Sequence, residues 1–313
     1  MEDKTKILVI CGPTASGKTG LSIEIAQKFN GEIISADSMQ VYKNLNIGTA
    51  KATKAEQEAV PHHLVDFLQP EQPYNVQIFI DCAKAAIAEI TAKGKLPILV
   101  GGTGLYIESL INGIIFTYQD ENKQIKEQLN KELQEYGNEH MYELLCEIDP
   151  QYAKTVHKNN YVRVLRAIEI YRLTGKRMSE QLVNSRPQEK PYNSLLIGLN
   201  YTDRQSLYGN INFRVDYMMY HGIIEEAEYV YKNKDAFITS ASAIGYKEFF
   251  PYFKGENTLE ECAEKLKQAS RNYAKRQLTW FNRMSDINWF MIEDESYKQR
   301  ACELTKKFIT GNL

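Results

Sequence analysis

Cysteine is scarce and scattered in this 313-residue chain: Cys11, Cys82, Cys146, Cys262 and Cys302 lie far apart, with no CxxC pair. An odd, dispersed set excludes a disulfide framework and reads as reduced thiols, which predicts a cytoplasmic protein. Five histidines do not make a metal site either, because His62 and His63 are adjacent and diverge in regular structure, and no Cys/His cluster accompanies them. No window approaches the roughly 18 uninterrupted apolar residues of a membrane span. The polar start Met1–Lys6 and the short run Ile7–Ile10 do not form the core of a signal peptide. Excess charge is missing as well: Lys+Arg 38 against Asp+Glu 40 gives −2, which as a whole points to neither a nucleic-acid nor a membrane partner. There is no internal repeat and no low-complexity segment.

What remains is an ordinary globular composition, 43% hydrophobic and 25% charged, long enough for a sizeable core. Residues 6–11 form an apolar run closed by Gly12-Pro13, as expected of a buried parallel strand. Leu21, Ile25, Ala26 and Phe29 recur at helical spacing, and a second strand, 32–35, leads to Asp37. Residues 76–93 read as a helix, and Leu96–Val100 as a strand running into Gly101-Gly102-Thr103-Gly104. This alternation predicts a parallel α/β sheet covered on both faces. From Asp120 to about Leu182 only charged amphipathic helices follow, including Asn122–Tyr136 and Asn160–Leu173, the latter stopped at Gly175. Pro187 and Pro191 punctuate a linker before the strand 195–199. Helices at about 203–219, 221–232 and 258–284, a strand near 287–292 and a terminal helix complete the pattern. The economical division is an α/β core over 1–115 and 194–313 with an all-helical insertion at 116–193.

Gly12-Pro13-Thr14-Ala15-Ser16-Gly17-Lys18-Thr19 matches G-x-x-x-x-G-K-[ST] in full, after a predicted strand and before a predicted helix. The glycines let backbone N–H groups turn inward around an anion at the positive end of a helix. Lys18 reaches the terminal phosphates, and the Thr19 hydroxyl is the candidate Mg²⁺ ligand. The core is thus of the P-loop-containing nucleoside triphosphate hydrolase-like type, and the loop binds a di- or triphosphate without specifying which.

Asp37 stands at a carboxyl strand end, where open α/β sheets place ligands; a turn or N-cap aspartate is the plainer alternative. Ser38, Gln40 and Tyr42 follow as a polar set able to hydrogen-bond a nucleobase. Gly101–Tyr106 repeats the strand-to-glycine geometry with Thr103 offering a hydroxyl, unless it is a simple strand-to-helix turn. The strand 96–100 ends in glycine rather than the aspartate of a Walker B motif, so the loop can serve a substrate's pyrophosphate rather than phosphoryl transfer.

The neutral total conceals a basic stretch. Between Lys265 and Ser285 there is no acidic residue, while Lys265, Lys267, Arg271, Lys275, Arg276 and Arg283 carry six positive charges with Tyr273, Trp280 and Phe281 interleaved. That is a footprint for nucleic-acid backbone and splayed bases, against the alternative of a solvated face with its aromatics in the core. A smaller group, Arg163, Arg166, Arg172, Lys176 and Arg177, lies in the insertion. Arg163 and Arg166 share a helix face, as do Arg166 and Glu169, so phosphate grip and an intrahelical ion pair compete there.

Taken in order, GPTASGKT (12–19), ISADSMQVYKNLNIGTAK (34–51), PHHLVDF (61–67), LVGGTGLY (99–106), RVLRAIEIYRLTGK (163–176), SAIGYKEF (242–249) and RNYAKRQLTWFNR (271–283) resemble the bacterial tRNA dimethylallyltransferase (tRNA isopentenyltransferase) family over essentially the whole chain. The resemblance implies transfer of a dimethylallyl group from dimethylallyl diphosphate to N6 of the adenosine adjacent to the anticodon, releasing diphosphate. It implies Asp37 as general base, Thr103 at the reacting centre and Arg214 on the diphosphate. It implies tRNA contacts from Asp37, Ser38, Met39, Gln40, Thr103 and Lys126, which join the basic candidates Arg163, Arg166, Arg271, Lys275 and Arg276. Asn210 stands where the family has a further arginine. The implied partners are the tRNA anticodon stem-loop and the donor, with Mg²⁺ as cofactor and a monomeric enzyme. The rival class is a P-loop small-molecule or nucleotide kinase, which shares the loop and the core but has little use for the basic helix.

Overall fold

The computed structural model describes residues 4–116, 123–185, 187 and 189–312. Expectations that fall on Met1 and on the helix start at Asn122 lie outside them. The chain divides into two units, Met1–Ile111 with Pro191–Leu313, and Asn112–Lys190.

The first unit is an α/β layer structure. Its elements begin with β1 (Lys6–Cys11), α1 (Lys18–Lys28), β2 (Gly31–Ser35), α2 (Lys54–Ala59), β3 (His62–His63), α3 (Val76–Ala92), β4 (Leu96–Gly101) and α4 (Gly104–Ile111). The second unit holds α5 (Lys123–Ile148), α6 (Pro150–Ala153), α7 (Tyr161–Thr174) and α8 (Met178–Asn184). The first unit resumes with β5 (Asn193–Asn200), α9 (Arg204–Tyr220), α10 (Ile223–Lys232), α11 (Phe250–Phe253), α12 (Leu259–Phe281), β6 (Ile287–Met291) and α13 (Tyr297–Thr310).

Among the described residues the six strands are all parallel, in the order β3-β2-β4-β1-β5-β6. The continuous apolar runs explain this: Ile7 to Cys11 are all buried, as a strand covered on both faces requires. Leu8, Ile10, Ile33, Ile98, Leu195 and Ile197 form the sheet's share of one core, packed against Leu21, Ile25 and Phe308 of the flanking helices. Each such side chain contributes about 1.5–3 kcal/mol when fully buried. The sequence pattern did not single out β3, a two-residue edge strand too short for periodicity. There His62 and His63 do diverge: the His63 ring meets Glu32 Oε2 at 2.7 Å, while His62 Nδ1 lies 2.7 Å from the Val60 carbonyl.

The order positions the site. The connection from β1 leads toward β2 and that from β4 toward β5, in opposite directions, so the carboxyl ends of β1 and β4 flank the crevice where open sheets bind ligands. The loop at the end of β1 is the phosphate loop, the end of β4 is the second glycine loop, and Asp37 follows β2. A hydrogen bond from Ala36 N–H to the Val100 carbonyl (2.7 Å) ties the last two together.

The helical unit has its own core of Leu129, Met141, Leu145, Val156, Val164 and Ile168. α5 is interrupted at Gly137, whose φ of 81° is left-handed. Asp149 fastens α8, accepting from the Tyr152 amide (3.0 Å) and the Ser179 amide (2.8 Å).

Candidate active site

The phosphate loop has the backbone its glycines predict. Gly12 adopts φ 142°, and a Cβ there would lie 2.3 Å from the Leu199 carbonyl oxygen, so no larger residue fits beside β5. Gly17, left-handed at φ 76°, is the residue from which α1 starts. The loop is held from both sides: Ser16 Oγ donates to the Pro13 carbonyl (2.8 Å), and Tyr201 donates to the Ala15 carbonyl (2.9 Å). Thr14 to Thr19 all line a pocket of about 860 Å³.

Lys18 points back along the loop, donating to the Pro13 carbonyl at 2.5 Å. Burial, with the Arg214 guanidinium adding to it, brings its ammonium down to about 8. Arg214, on α9, donates to Thr14 Oγ1 at 3.3 Å, so both cations face the loop's open side. Burial lowers Arg214 as well, and the charge of Asp37 opposes this. Asn210, one turn earlier on α9, is exposed and its carboxamide donates to the Ser206 carbonyl (3.0 Å).

Asp37 makes the turn and also lines the pocket. One oxygen, Oδ1, accepts from the amides of Met39 (2.8 Å) and Gln40 (3.2 Å), which is the turn geometry of an Asx residue. The other has no hydrogen-bond partner among the described residues, and the carboxylate lines both the large pocket and a smaller one of about 300 Å³. Thr14, Arg214 and Tyr273 are also common to the two. Ser38 and Met39 line the smaller pocket, whose other walls include Ile211, Val215, Met218 and Ile244.

The polar set after Asp37 divides. Tyr42 is wholly buried and donates to the Gln72 carbonyl (3.1 Å), so it belongs to the core and not to a base-reading surface. Gln40 lines the large pocket, but its carboxamide is tied to Ser35 Oγ (3.2 Å) and to the Ala50 carbonyl (3.2 Å). Thr103 follows β4, and its Oγ1 is buried with no hydrogen bond of good geometry among the described residues; the Tyr273 hydroxyl lies close to it. Burial and the Asp37 charge push that phenol up to about 12.

The basic helix α12 is more finely divided than its composition implied. Thr258 and Glu261 form a capping box at its start. Lys267 is neutralised by Asp216 and Glu264, both at 2.9 Å, and Arg271 donates to Asn212 Oδ1 (2.6 Å). Lys275 and Arg276 are exposed and carry no ion pair among the described residues; Arg276 stands over the Tyr273 ring and lines the smaller pocket. The aromatics face inward: Phe281 is fully buried and Trp280 Nε1 donates to Glu108 (2.8 Å). Those two are packing residues, the plainer of the two readings, whereas Tyr273 lines both pockets. In the helical unit, Arg166 pairs with Glu169 at 2.8 Å, so the intrahelical ion pair is formed there. Arg163 is exposed on α7, and Lys126 lies on α5.

Two residues that sequence reasoning passed over organise the pocket. Glu226 on α10 accepts from three successive amides, Asn46 (2.7 Å), Ile47 (2.9 Å) and Gly48 (2.9 Å), and from the Tyr246 hydroxyl (2.6 Å). It thereby joins the NIGTAK and SAIGY segments, both of which contribute pocket wall. The other is Gln277, whose carboxamide bonds the phosphate loop and the second glycine loop at once. A glutamate in a helix's first turn and a glutamine among cations carry no local signal of such roles.

Among the described residues no group of three or more His, Cys, Asp or Glu side chains is placed to hold a metal ion, and no helix is long and apolar enough to cross a membrane.

Known proteins match the chain over essentially its whole length. The IPP transferase family model matches residues 40–284 and the isopentenyl transferase model residues 5–66. A tRNA dimethylallyltransferase of Bacillus cytotoxicus is 48% identical over 315 residues, covering 100% of this chain and 98% of the relative. One from Caldanaerobacter subterraneus is 43% identical over 310 residues, 98% of each chain. The crystal structure of the Bacillus halodurans tRNA isopentenylpyrophosphate transferase superposes with a TM-score of 0.73 at 41% identity, covering 99% of this chain and 98% of that one. A eukaryotic dimethylallyltransferase caught acting on tRNA gives 0.83 at 32% identity, over 99% and 80%. With the phosphate loop, the strand-end aspartate and this full-length similarity, the chain belongs to the tRNA dimethylallyltransferase family.

Proposed function

We propose that this site transfers the dimethylallyl group of dimethylallyl diphosphate to N6 of the adenosine adjacent to the anticodon in tRNA, releasing diphosphate. The observation that carries this reading is a carboxylate with a free oxygen, Asp37, in a pocket shared with a complete phosphate loop and Arg214.

An exocyclic adenine amine is a poor nucleophile because its lone pair is delocalised into the ring. The free oxygen of Asp37 accepts the N6 proton as the N6–C1 bond forms, a contribution of about 10²–10⁴-fold for a positioned base. The C1–O bond to the diphosphate breaks in the same displacement, and its electron pair leaves on the diphosphate. The loop amides, Lys18 and Arg214 are placed to neutralise that leaving charge. Lys18 would give up its bond to the Pro13 carbonyl for one to the diphosphate. Ile211, Val215, Met218 and Ile244 offer apolar surface to the base and the prenyl group and keep water from the allylic carbon.

Thr19 offers a hydroxyl at the loop's metal position, exposed to the pocket, and no carboxylate cage surrounds it among the described residues. That donor set suits Mg²⁺, which takes few protein ligands and completes its shell with phosphate oxygens and water. Bound there, it would supply further neutralisation of the diphosphate.

Lys275 and Arg276 are the core's candidates for the tRNA backbone, and Lys126, Arg163 and Arg166 those of the helical unit. Extracting the adenosine from its stack costs a few kcal/mol, which phosphate contacts offset. The five cysteines are all free, as in a cytoplasmic protein, and we take the enzyme to act as a monomer. The test is to incubate the protein with unmodified tRNA, Mg²⁺ and dimethylallyl diphosphate and weigh the nucleosides. A prenylated adenosine is expected; no prenylated nucleoside, or phosphorylation with ATP instead, refutes the reading.

A further inference from the structure

Helix α12 lays three side chains along the second glycine loop at i, i+4 and i+7. Tyr273 stands beside Thr103, Gln277 against Gly102 and Trp280 against Gly104. The middle one is unlike its neighbours. Gln277 is 5% exposed, and both ends of its carboxamide are engaged. Thr14 N–H donates to its Oε1 at 2.8 Å, and its Nε2 donates to the Gly102 carbonyl at 3.0 Å. Thr14 belongs to the phosphate loop and receives Arg214 on its hydroxyl, whereas Gly102 immediately precedes Thr103. One planar group therefore spans the loop that faces the diphosphate and the loop that flanks the acceptor.

Few residues can do this. The bridge needs an acceptor and a donor on one planar head at this reach; asparagine is a methylene shorter, and an ionised glutamate has no donor. The glycine opposite is part of the same fit. A Cβ on Gly102 would lie 2.0 Å from Gln277 Nε2, so the close approach requires a residue without one. The link is buried, where an unmet amide is costly, and so the two loops keep one relative position.

We propose that Gln277 is a positioning residue for prenyl transfer: its carboxamide sets the phosphate loop, and with it the diphosphate, in register with the Thr103 loop and the acceptor amine. It does not touch the reacting atoms. This rests on the transferase reading above. In-line displacement tolerates little misplacement, and an error of about 1 Å costs on the order of 10²-fold in rate.

The test compares Gln277→Leu and Gln277→Glu with the wild type, measuring kcat at saturating substrates, the Kd for inorganic pyrophosphate and the Kd for tRNA. With Leu, kcat falls about 10²-fold while both dissociation constants stay within about threefold. With Glu, the carboxylate keeps the Thr14 bond but faces the Gly102 carbonyl, whereas the protonated carboxyl restores both bonds. The ratio of its kcat to that of the wild type therefore rises as pH is lowered. Tyr273, Lys18, Asp37 and Arg214 share the pocket lining with position 277 and are present in both proteins, so the ratio reads the one group that is replaced. Three results overturn the proposal: kcat within about threefold of wild type in both variants, a flat ratio for Glu, or loss of pyrophosphate or tRNA binding in step with kcat. If the Leu variant does not fold, the Glu pH ratio decides alone. Absence of product from the wild type would instead sink the transferase reading.

Discussion

Replacing Asp37 by asparagine separates its two roles. Oδ1 of the native carboxylate accepts from the Met39 and Gln40 amides, and an asparagine oxygen accepts the same two bonds. The turn therefore survives, and stability is expected to stay within about 0.5 kcal/mol of wild type. What the Asp37→Asn side chain lacks is the second oxygen as a proton acceptor. A positioned base contributes about 10²–10⁴-fold, which corresponds to about 2.7–5.4 kcal/mol of transition-state stabilisation. Asp37→Ala removes the turn bonds too, each worth about 0.5–1.5 kcal/mol, so it should lose about 1–3 kcal/mol of stability beyond the same catalytic defect. Single-turnover prenylation of unmodified tRNA at saturating donor reads the chemical step, filter binding reads tRNA affinity, and urea unfolding reads stability. Retention by Asp37→Asn of more than about a tenth of the wild-type rate would refute the base assignment. So would a tRNA affinity that falls as far as the rate does.

Lys18 titrates near 8 because burial, aided by Arg214, disfavours its charge. In the unfolded chain it holds its proton up to the ordinary 10.5, so between about 8 and 10.5 the unfolded state binds more protons and this group's contribution to stability rises with pH. Anion binding has the opposite sign: inorganic pyrophosphate favours the ammonium, so its Kd should weaken above pH 8 by up to about tenfold per unit. Titration calorimetry that finds no such slope, or the same slope in Lys18→Met, would count against it. Glu226→Ala strands three amides and the Tyr246 hydroxyl, so about 2–4 kcal/mol of stability should be lost by urea midpoint; a change under about 0.5 kcal/mol would show that the segment holds without it. Charge reversal at Lys275 and Arg276 should weaken tRNA binding and reduce its salt dependence by roughly one unit of slope per phosphate contact. Arg271→Glu should act chiefly through its Asn212 contact, and an equal loss of salt slope there would reverse that ranking.

Where the chemistry depends on contiguous residues, it is legible in the chain. The phosphate loop needs its glycines, lysine and threonine within eight positions after a strand, and the structure turns them into one pocket wall. The alternation of apolar runs and amphipathic stretches dictates parallel strands with helices between, because a strand buried on both faces has few other places to go. The five positive charges on α12 are equally visible, but their partners are not. Asp216 and Asn212 lie on another helix, and only packing α9 against α12 reveals that Lys267 and Arg271 are engaged while Lys275 and Arg276 are exposed.

Tertiary packing also decided the fate of the aromatics, since a ring at helical spacing reads alike whether it meets a base or a neighbouring loop. The contacts of Glu226 and Gln277 span 179 and 263 residues of chain, and hydrogen bonds of that range leave no periodicity behind. The local sequence thus names the groups that can hold a diphosphate and accept a proton. Their arrangement into one site is set by long-range bonds whose partners become neighbours only when the sheet closes around β1.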